Sequence, residues 1–247
     1  MPTLVLSPRY TTDSIALWKS AIALNWEVTR LPNWQLTPEQ TINDPAIYGE
    51  PLFARIIADR LSVKLLDPDL DWLATLPTNY LKRQVINTTL AEARNISETM
   101  FIKPAADKCF PAKVYQSGKQ LPIIEALSDD TPVLVSEPVE WEIEFRCFIQ
   151  RRTLQAISSY WSNGDSTEQA DGSWYATESE YKQAAEFCTE VINDSQVKLP
   201  DAVVVDVGII KDKGWAVIEA NSVYSSGLYG CDPIAVIKVI QTGTLPI

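Results

Sequence analysis

Residues 203–221 read Val-Val-Val-Asp-Val-Gly-Ile-Ile-Lys-Asp-Lys-Gly-Trp-Ala-Val-Ile-Glu-Ala-Asn. Two runs of β-branched and apolar residues flank a short Lys-Asp-Lys-Gly segment, the pattern of two strands joined by a tight turn. Inside this hairpin stand three oxygen-bearing side chains, Asp206, Glu219 and Asn221. Side chains alternate along a strand, so Glu219 and Asn221 share a face. With the turn at Lys211 to Gly214, Asp206 comes level with them on the neighbouring strand. The positions around them, Val204, Val205, Val207, Val217, Ile218 and Ala220, are apolar. Acids set in such a sheet need a partner or a cation. Two carboxylates and an amide oxygen form a hard-ligand set that suits Mg²⁺ held jointly by protein and substrate phosphate oxygens. The competing reading makes them solvent-facing polar positions or paired structural acids.

The rest of the chain narrows the chemistry by what it lacks. Not one of the 247 residues is histidine. This eliminates Ser-His-Asp and Cys-His nucleophiles, histidine general bases and the usual zinc hydrolase sites. Carboxylates, lysines, arginines and metal remain, a toolkit that suits phosphoryl chemistry, which runs mainly on positioning and charge stabilisation. A net charge of -11 argues against a nucleic-acid or anionic-membrane partner. No apolar run approaches the roughly 20 residues of a membrane span, and Met1 to Ser7 has no basic region before its short apolar run. Cys109, Cys147, Cys188 and Cys231 lie far apart without zinc-type spacing. Together these point to a reduced, cytoplasmic protein. A hydrophobic content of 46% supplies a core large enough for two lobes.

Periodicity divides the chain into two parts. Leu4 to Leu6 is a short apolar strand. Asp13 or Ser14 caps a helix running to Leu24, with Ile15, Leu17, Trp18, Ala21 and Ile22 as its apolar face. Trp26 to Leu31 is a second strand, which makes a β-α-β opening with a parallel pair. A proline-bearing loop spans 32–45, a helix 51–61 and a third strand 63–66. A short helix is expected over 71–76 and a longer one over 79–93, and the lobes divide here, as 1–75 and 76–247. The second part reads as strands over 100–103, 114–116, 132–135, 143–150 and 154–161. Helices follow over 121–127, 178–192 and from Pro233, where Asp232 is the cap.

Three further features carry chemistry. Lys103 ends an apolar strand in Phe-Ile-Lys-Pro, where an ammonium can reach phosphate oxygens or can simply snorkel. At Glu137-Pro138-Val139 a strand enters a proline and stops donating ladder bonds, which frees backbone groups to pair with an adenine edge or merely ends the strand. Glu144 and Arg146 share one face of one strand. They are placed to hold a hydroxyl and an anion, or to pair with each other.

Taken in order, Phe-Ile-Lys103-Pro, Val135-Ser-Glu137-Pro-Val139, Glu144-Phe-Arg146, Val-Val-Asp206-Val-Gly and Val-Ile-Glu219-Ala-Asn221 resemble the ATP-grasp family. The Lys-Pro-x-x-x-Lys segment ending at Lys108 and the Ser-Ser-Gly-Leu-Tyr-Gly segment are most similar to the small clade named for its two arginines and one lysine. The motifs span about residues 100 to 235. The resemblance implies an α/β (α+β) architecture: antiparallel-sheet nucleotide-binding lobes preceded by a small parallel β-α-β pre-grasp lobe. It implies ATP with Mg²⁺, and an ATP-dependent ligase in which a carboxylate becomes an acyl phosphate and an amine or thiol displaces phosphate. The carboxylate would belong to an amino acid, peptide or protein. It places Lys103 and Lys108 at the phosphates, Glu137 and the Val139 backbone at adenine, and Glu144 at the ribose. Arg146 would steady a phosphate or acyl phosphate, and Asp206, Glu219 and Asn221 would bind metal.

The sequence also departs from the family. The loop over the phosphates is normally rich in glycine and here reads Ala-Ala-Asp-Lys-Cys-Phe-Pro. Many relatives carry an arginine where this chain has Ser-Ser-Tyr160-Trp161. A cation preceding the Lys103 strand has only Lys82 and Arg83 as candidates. These departures keep open a non-catalytic or regulatory ATP-binding module. A plain α/β interaction protein without nucleotide affinity is a third reading.

Overall fold

The structure, a computed structural model, describes residues 1–36, 42–106 and 108–247. Part of the predicted 32–45 loop, at 37–41, lies outside the described residues, as does Asp107 of the predicted loop after Lys103.

The chain opens with β1 (Thr3–Leu6), α1 (Thr12–Ala23), β2 (Glu27–Arg30), β3 (Pro45–Tyr48), α2 (Pro51–Leu61) and β4 (Val63–Leu65). Strands β2, β1 and β3 form a parallel sheet in that order. β1 is buried along its whole length, because both of its faces are covered. Leu4 and Leu6 pack with α1 on one side, and Val5 meets Phe53, Ala54 and Ile57 of α2 on the other. The expected β-α-β opening is therefore present, with β3 as a third parallel strand at the end of the predicted loop.

Helix α1 corrects two expectations. Its cap is Thr11, in a capping box with Ser14, and not Asp13 or Ser14. Its buried stripe is Ser14, Leu17, Ser20 and Ala21. Ile15, Trp18 and Ile22 are left exposed, because small residues on the inner stripe let the helix pack closely.

Next come α3 (Trp72–Thr75), α4 (Thr78–Leu81), β5 (Val85–Thr89), α5 (Leu90–Arg94), β6 (Met100–Pro104), β7 (Lys113–Tyr115) and β8 (Pro132–Ser136). The helix expected over 79–93 is thus three elements. Apolar residues at Leu81, Val85 and Leu90 imitate a helical period, but Val-Ile-Asn-Thr-Thr is rich in β-branched residues and pairs with β8. Thr89 and Glu92 then start a new helix with a second capping box. The helix expected over 121–127 is absent: a 3₁₀ turn at Gly118–Gln120 ends at Leu121, held extended before Pro122. Strands β5, β8, β6 and β7 form an antiparallel sheet in that order.

The chain ends with β9 (Trp141–Gln150), β10 (Thr153–Ser162), β11 (Asp165–Ser166), α6 (Glu178–Asn193), β12 (Ala202–Ile210), β13 (Gly214–Asn221), α7 (Pro233–Thr242) and β14 (Thr244–Pro246). Strands β11, β10, β9, β12 and β13 form a second antiparallel sheet. Alternation gives it two different faces. Phe145, Cys147, Val203, Val205 and Val207 pack with Ala184, Cys188 and Val191 of α6. Glu144, Arg146 and Asp206 lie on the other face. The last helix and strand turn back to the beginning. α7 joins the cluster of Leu4, Leu6 and Leu17, and β14 pairs with β4.

Candidate functional site

A cleft of about 380 Å³ lies where the two antiparallel sheets approach each other. Phe101 and Lys103 of β6 and Leu134 and Ser136 of β8 line it from the four-stranded sheet. Glu137, Pro138 and Val139, the link from β8 to β9, line it next, followed by Trp141. Ile218 and Glu219 come from β13, and Arg83 and Lys113 add two further cations to the lining. The β12–β13 register shifts between Asp206 and Val207, which face Glu219 and Val217. Ile218 is therefore the extra residue of a bulge, the device that turns adjacent residues of one strand toward a site. Both Ile218 and Glu219 reach the cleft.

The hairpin register sets Asp206 opposite Glu219 and Val204 opposite Asn221. The Asn221 amide joins the acids, donating from Nδ2 to Glu219 Oε1 at 2.9 Å and lying 3.5 Å from Asp206 Oδ2. Each acid also holds a cation. Lys103 Nζ is 2.5 Å from Glu219 Oε2. Arg146 forks onto Asp206, Nε to Oδ1 at 3.0 Å and Nη2 to Oδ2 at 2.7 Å. Asp206 has no exposed surface, so the fork supplies the partner that a buried carboxylate requires. Burial pushes the Glu219 carboxyl up, but Lys103 and the Asn221 amide more than offset it and bring it down to about 2. Burial likewise opposes charge on Arg146, and Asp206 holds the guanidinium above its ordinary range.

These donors fit a hard divalent cation. They are two carboxylates and an amide that converge, and in the protein alone the ammonium and guanidinium groups gather on their oxygens. Among the described residues no three His, Cys, Asp or Glu side chains come together as a metal cluster. A third protein donor would be the Asn221 amide, whose oxygen would face the acids with the group turned over. Further positions on such an ion would be left to water or phosphate, the usual arrangement for Mg²⁺.

Beside them, Tyr160 donates from its hydroxyl to Glu144 Oε2 at 2.5 Å. Burial and the nearby Asp206 and Glu219 charges push the Glu144 carboxyl up against that bond. Arg146 is flanked by two rings, its guanidinium carbon 4.7 Å from the Tyr229 centroid and 5.6 Å from that of Tyr160. Its Nη1 donates to Gly227 O at 3.2 Å.

The residues singled out from the sequence do not all meet in one place. Lys103, Glu137, Val139 and Glu219 line the cleft. Asp206, Asn221 and Arg146 stand directly behind Glu219, linked to it by the bonds above. Glu144 shares their sheet face but is outside the cleft lining, and Lys108 is exposed and also outside it. Glu137 is exposed, its carboxylate accepting from the Gln84 amide at 3.0 Å and its own amide donating to Gln84 O. Of the two cation candidates before Lys103, Lys82 is exposed and Arg83 is buried in the lining. Arg83 donates to the carbonyls of Leu81, Val217 and Ile218 and stands 5.0 Å from the Trp141 ring centroid. Burial brings its guanidinium down to about 10. Tyr160, Trp141 and Asp13 went unnoticed in the sequence as site residues. Asp13, expected only as a cap, instead accepts from the Leu228 amide and the Tyr48 hydroxyl.

Comparison with known proteins bears on this geometry. A family model for an ATP-grasp domain matches residues 80–239; it describes the second family of the clade named for two arginines and one lysine. No curated protein matches the chain in sequence. Solved structures match its fold over almost its full length. A RimK domain protein ATP-grasp from Sphaerobacter thermophilus DSM 20745 is 15% identical with a TM-score of 0.56, covering 98% of each chain. D-cycloserine synthetase DcsG is 13% identical with a TM-score of 0.57, covering 97% of this chain and 99% of its own. An L-amino acid ligase from Bacillus licheniformis is 14% identical with a TM-score of 0.55, covering 99% of this chain and 75% of its own. At such identities the likeness is one of fold.

Proposed function

The chain belongs to the ATP-grasp family, in the clade named for two arginines and one lysine, and from that premise we propose that it is an ATP-dependent ligase that joins a carboxylate to an amine through an acyl phosphate. One juxtaposition carries the reading. Lys103 comes from one sheet and the Asp206–Glu219–Asn221 group from another, and they touch at a single cleft. A triphosphate tail needs positive charge and metal-binding oxygens within reach of each other, and this is where the chain provides both.

In this reading the nucleobase lies among Leu134, Val139 and Trp141, with the Glu137–Val139 backbone at its edge. Lys103 leaves Glu219 for the phosphates, and Arg83 and Lys113 are the other two cations at the same lining. Asp206, Glu219 and Asn221 hold Mg²⁺, which when bound neutralises charge on the phosphate oxygens. Glu144 takes the ribose hydroxyls, although its place beside Asp206 brings it closer to the metal group than to the cleft lining. Lys108 has no contact that supports a role at the phosphates.

The reaction runs in two displacements. A substrate carboxylate oxygen attacks the γ-phosphorus, a new P–O bond forms, the β–γ bridge breaks and ADP leaves. The nucleophile then attacks the acyl carbon, the C–N bond forms, the C–O bond to phosphate breaks, and the amine loses its proton. Arg146, fixed by Asp206, supplies positive charge where the acyl phosphate develops negative charge. Its fork leaves two N–H groups unspent on Asp206 and Gly227. The partners in this reading are amino acids or peptides, with no nucleic acid and no membrane, in a cytoplasmic setting. Among the described residues no helix is long and apolar enough to cross a membrane.

The deciding experiment is ADP release, measured by a coupled assay with Mg-ATP across a matrix of amino acids and dipeptides as acid and amine. Release that needs both partners, with the condensed product seen by mass spectrometry, is expected. ATP binding without release for every pair would overturn the ligase reading in favour of a regulatory nucleotide-binding module.

A further inference from the structure

Tyr160 and Tyr229 flank Arg146, and Trp174 packs on Tyr229, none of the three belonging to the core. Tyr160 and Tyr229 stack with centroids 5.0 Å apart and planes at 22°. Trp174 meets Tyr229 edge-on at 5.2 Å. All three are partly exposed, and none belongs to a hydrophobic cluster among the described residues. Aromatic surface of this size is normally buried for its own stability. Left half-open beside an arginine, it has area to offer a ligand.

The backbone is bent to hold this arrangement. Tyr229 has a φ of +48° and Gly230 one of +79°, two consecutive left-handed residues. A bulky residue in that region is strained, and strain of this kind gathers at ligand-binding sites. Gly230 is also pressed against Trp174, since a Cβ there would lie 2.4 Å from Trp174 Cδ1. No larger residue fits while Trp174 keeps its place. Tyr160 is fixed from its far end by the bond to Glu144. The rings therefore form a pre-set wall, one side of which is the guanidinium of Arg146.

We propose that Tyr160, Tyr229 and Trp174 form the wall on which the substrate being activated lays its side chain. The acid substrate is then an amino acid, or a peptide whose C-terminal residue has an aromatic ring. The inference rests on the ligase reading and gives it a substrate class. A carboxylate placed for attack beside Arg146 carries its own side chain on the very next carbon. The rings next to Arg146 are what that side chain meets. A flat ring gains offset-stacked or edge contacts on such a wall, which an alanine or aspartate side chain cannot make.

The test compares kcat/KM for Phe, Tyr, Trp, Leu, Ala and Asp, each free and as the C-terminal residue of a glycyl dipeptide, with one fixed amine and Mg-ATP. At least a tenfold preference for the aromatic acids over alanine is expected. Tyr229→Leu should collapse that ratio and Tyr229→Phe should keep it, with matched Tm values showing that both variants fold. Phenylalanine and glycyl-phenylalanine binding, measured by calorimetry with a non-hydrolysable ATP analogue and Mg²⁺, gives a readout independent of turnover. Binding that weakens tenfold in Tyr229→Leu supports the wall. A flat acid profile, a preference surviving in Tyr229→Leu, or aromatic ligands that bind neither protein or both equally, overturns it. Turnover without aromatic preference sinks this inference alone. Silence with every acid sinks the ligase reading, while calorimetry still decides the wall.

Discussion

Lys103 and Glu219 reach toward each other from two separate sheets, Nζ to Oε2 at 2.5 Å, and their contact spans the cleft that a nucleotide would enter. Each is also the natural partner of another group: the lysine of phosphate, the carboxylate of a divalent ion. Both side chains are only partly buried, so a charge left unpaired here costs something but can be met by water or a ligand.

Nucleotide and magnesium should therefore bind as mutually dependent ligands. With metal chelated, drawing Lys103 onto the phosphates leaves Glu219 without a counter-charge beside them. Glu219→Gln removes that repulsion, and its affinity for metal-free ATP is expected to exceed that of the wild type by roughly tenfold, about 1.4 kcal/mol. Calorimetry in EDTA reads this directly. Equal affinities would show that Glu219 does not face the phosphates.

The Arg146–Asp206 fork is a buried pair, and removing one member strands the other. Arg146→Met should destabilise the protein by about 3–5 kcal/mol in urea unfolding. Arg146→Lys, which keeps the charge but loses the fork, should fall between that variant and the wild type. A loss below about 1 kcal/mol for Arg146→Met, well under the range for a broken buried pair, would mean that water replaces the guanidinium.

Acid should act on Glu219 in a defined window. Its carboxyl lies at about 2 in the folded protein, below its ordinary 4.5, with Lys103 the main lowering influence. A depressed pKa means that the stability it contributes is complete above about pH 4.5 and drains away as pH falls toward 2. The stability difference between the wild type and Glu219→Gln, followed by urea unfolding from pH 6 to pH 2, should shrink across that interval. A difference that stays constant would contradict the ion pair.

Gly208 faces Glu144 across the β12–β9 ladder, and a Cβ there would lie 2.5 Å from Ile143 O and 3.1 Å from Trp141 Cε3. The obstacle is partly backbone, which cannot swing aside. Gly208→Ala is expected to cost about 1–3 kcal/mol and to disturb Trp141 at the cleft. A thermal melt matching the wild type would refute this close packing.

The fold class and the hairpin are legible in the sequence, while the elements between residues 79 and 127 are not. The hairpin bearing Asp206, Glu219 and Asn221 was readable because strand alternation is strict and the acids stood out against valine and isoleucine. Lys103 was readable because a proline ends its strand. The bulge at Ile218 had no local signal, since a ladder shift is set by the partner strand. The apolar spacing of residues 85–89 fits either period, and only pairing with β8 decides it. Arg83 looked like any cation after a helix. Its value comes from the carbonyls of Val217 and Ile218, more than 130 residues away in the chain. Tyr160, Tyr229 and Trp174 come from three segments, and no sequence window contains their meeting.

The return of α7 and β14 to the opening layers has a practical result for anyone who dissects this protein. The polypeptide is laced shut like a boot: its final turns cover Leu4, Leu6 and Leu17 and zip onto Val63–Leu65. A clone that stops before Pro233 would bare that greasy surface and should come out of the cell in the pellet. A cut near residue 75 would yield a front half with its cover missing, so the halves are best co-expressed and mixed.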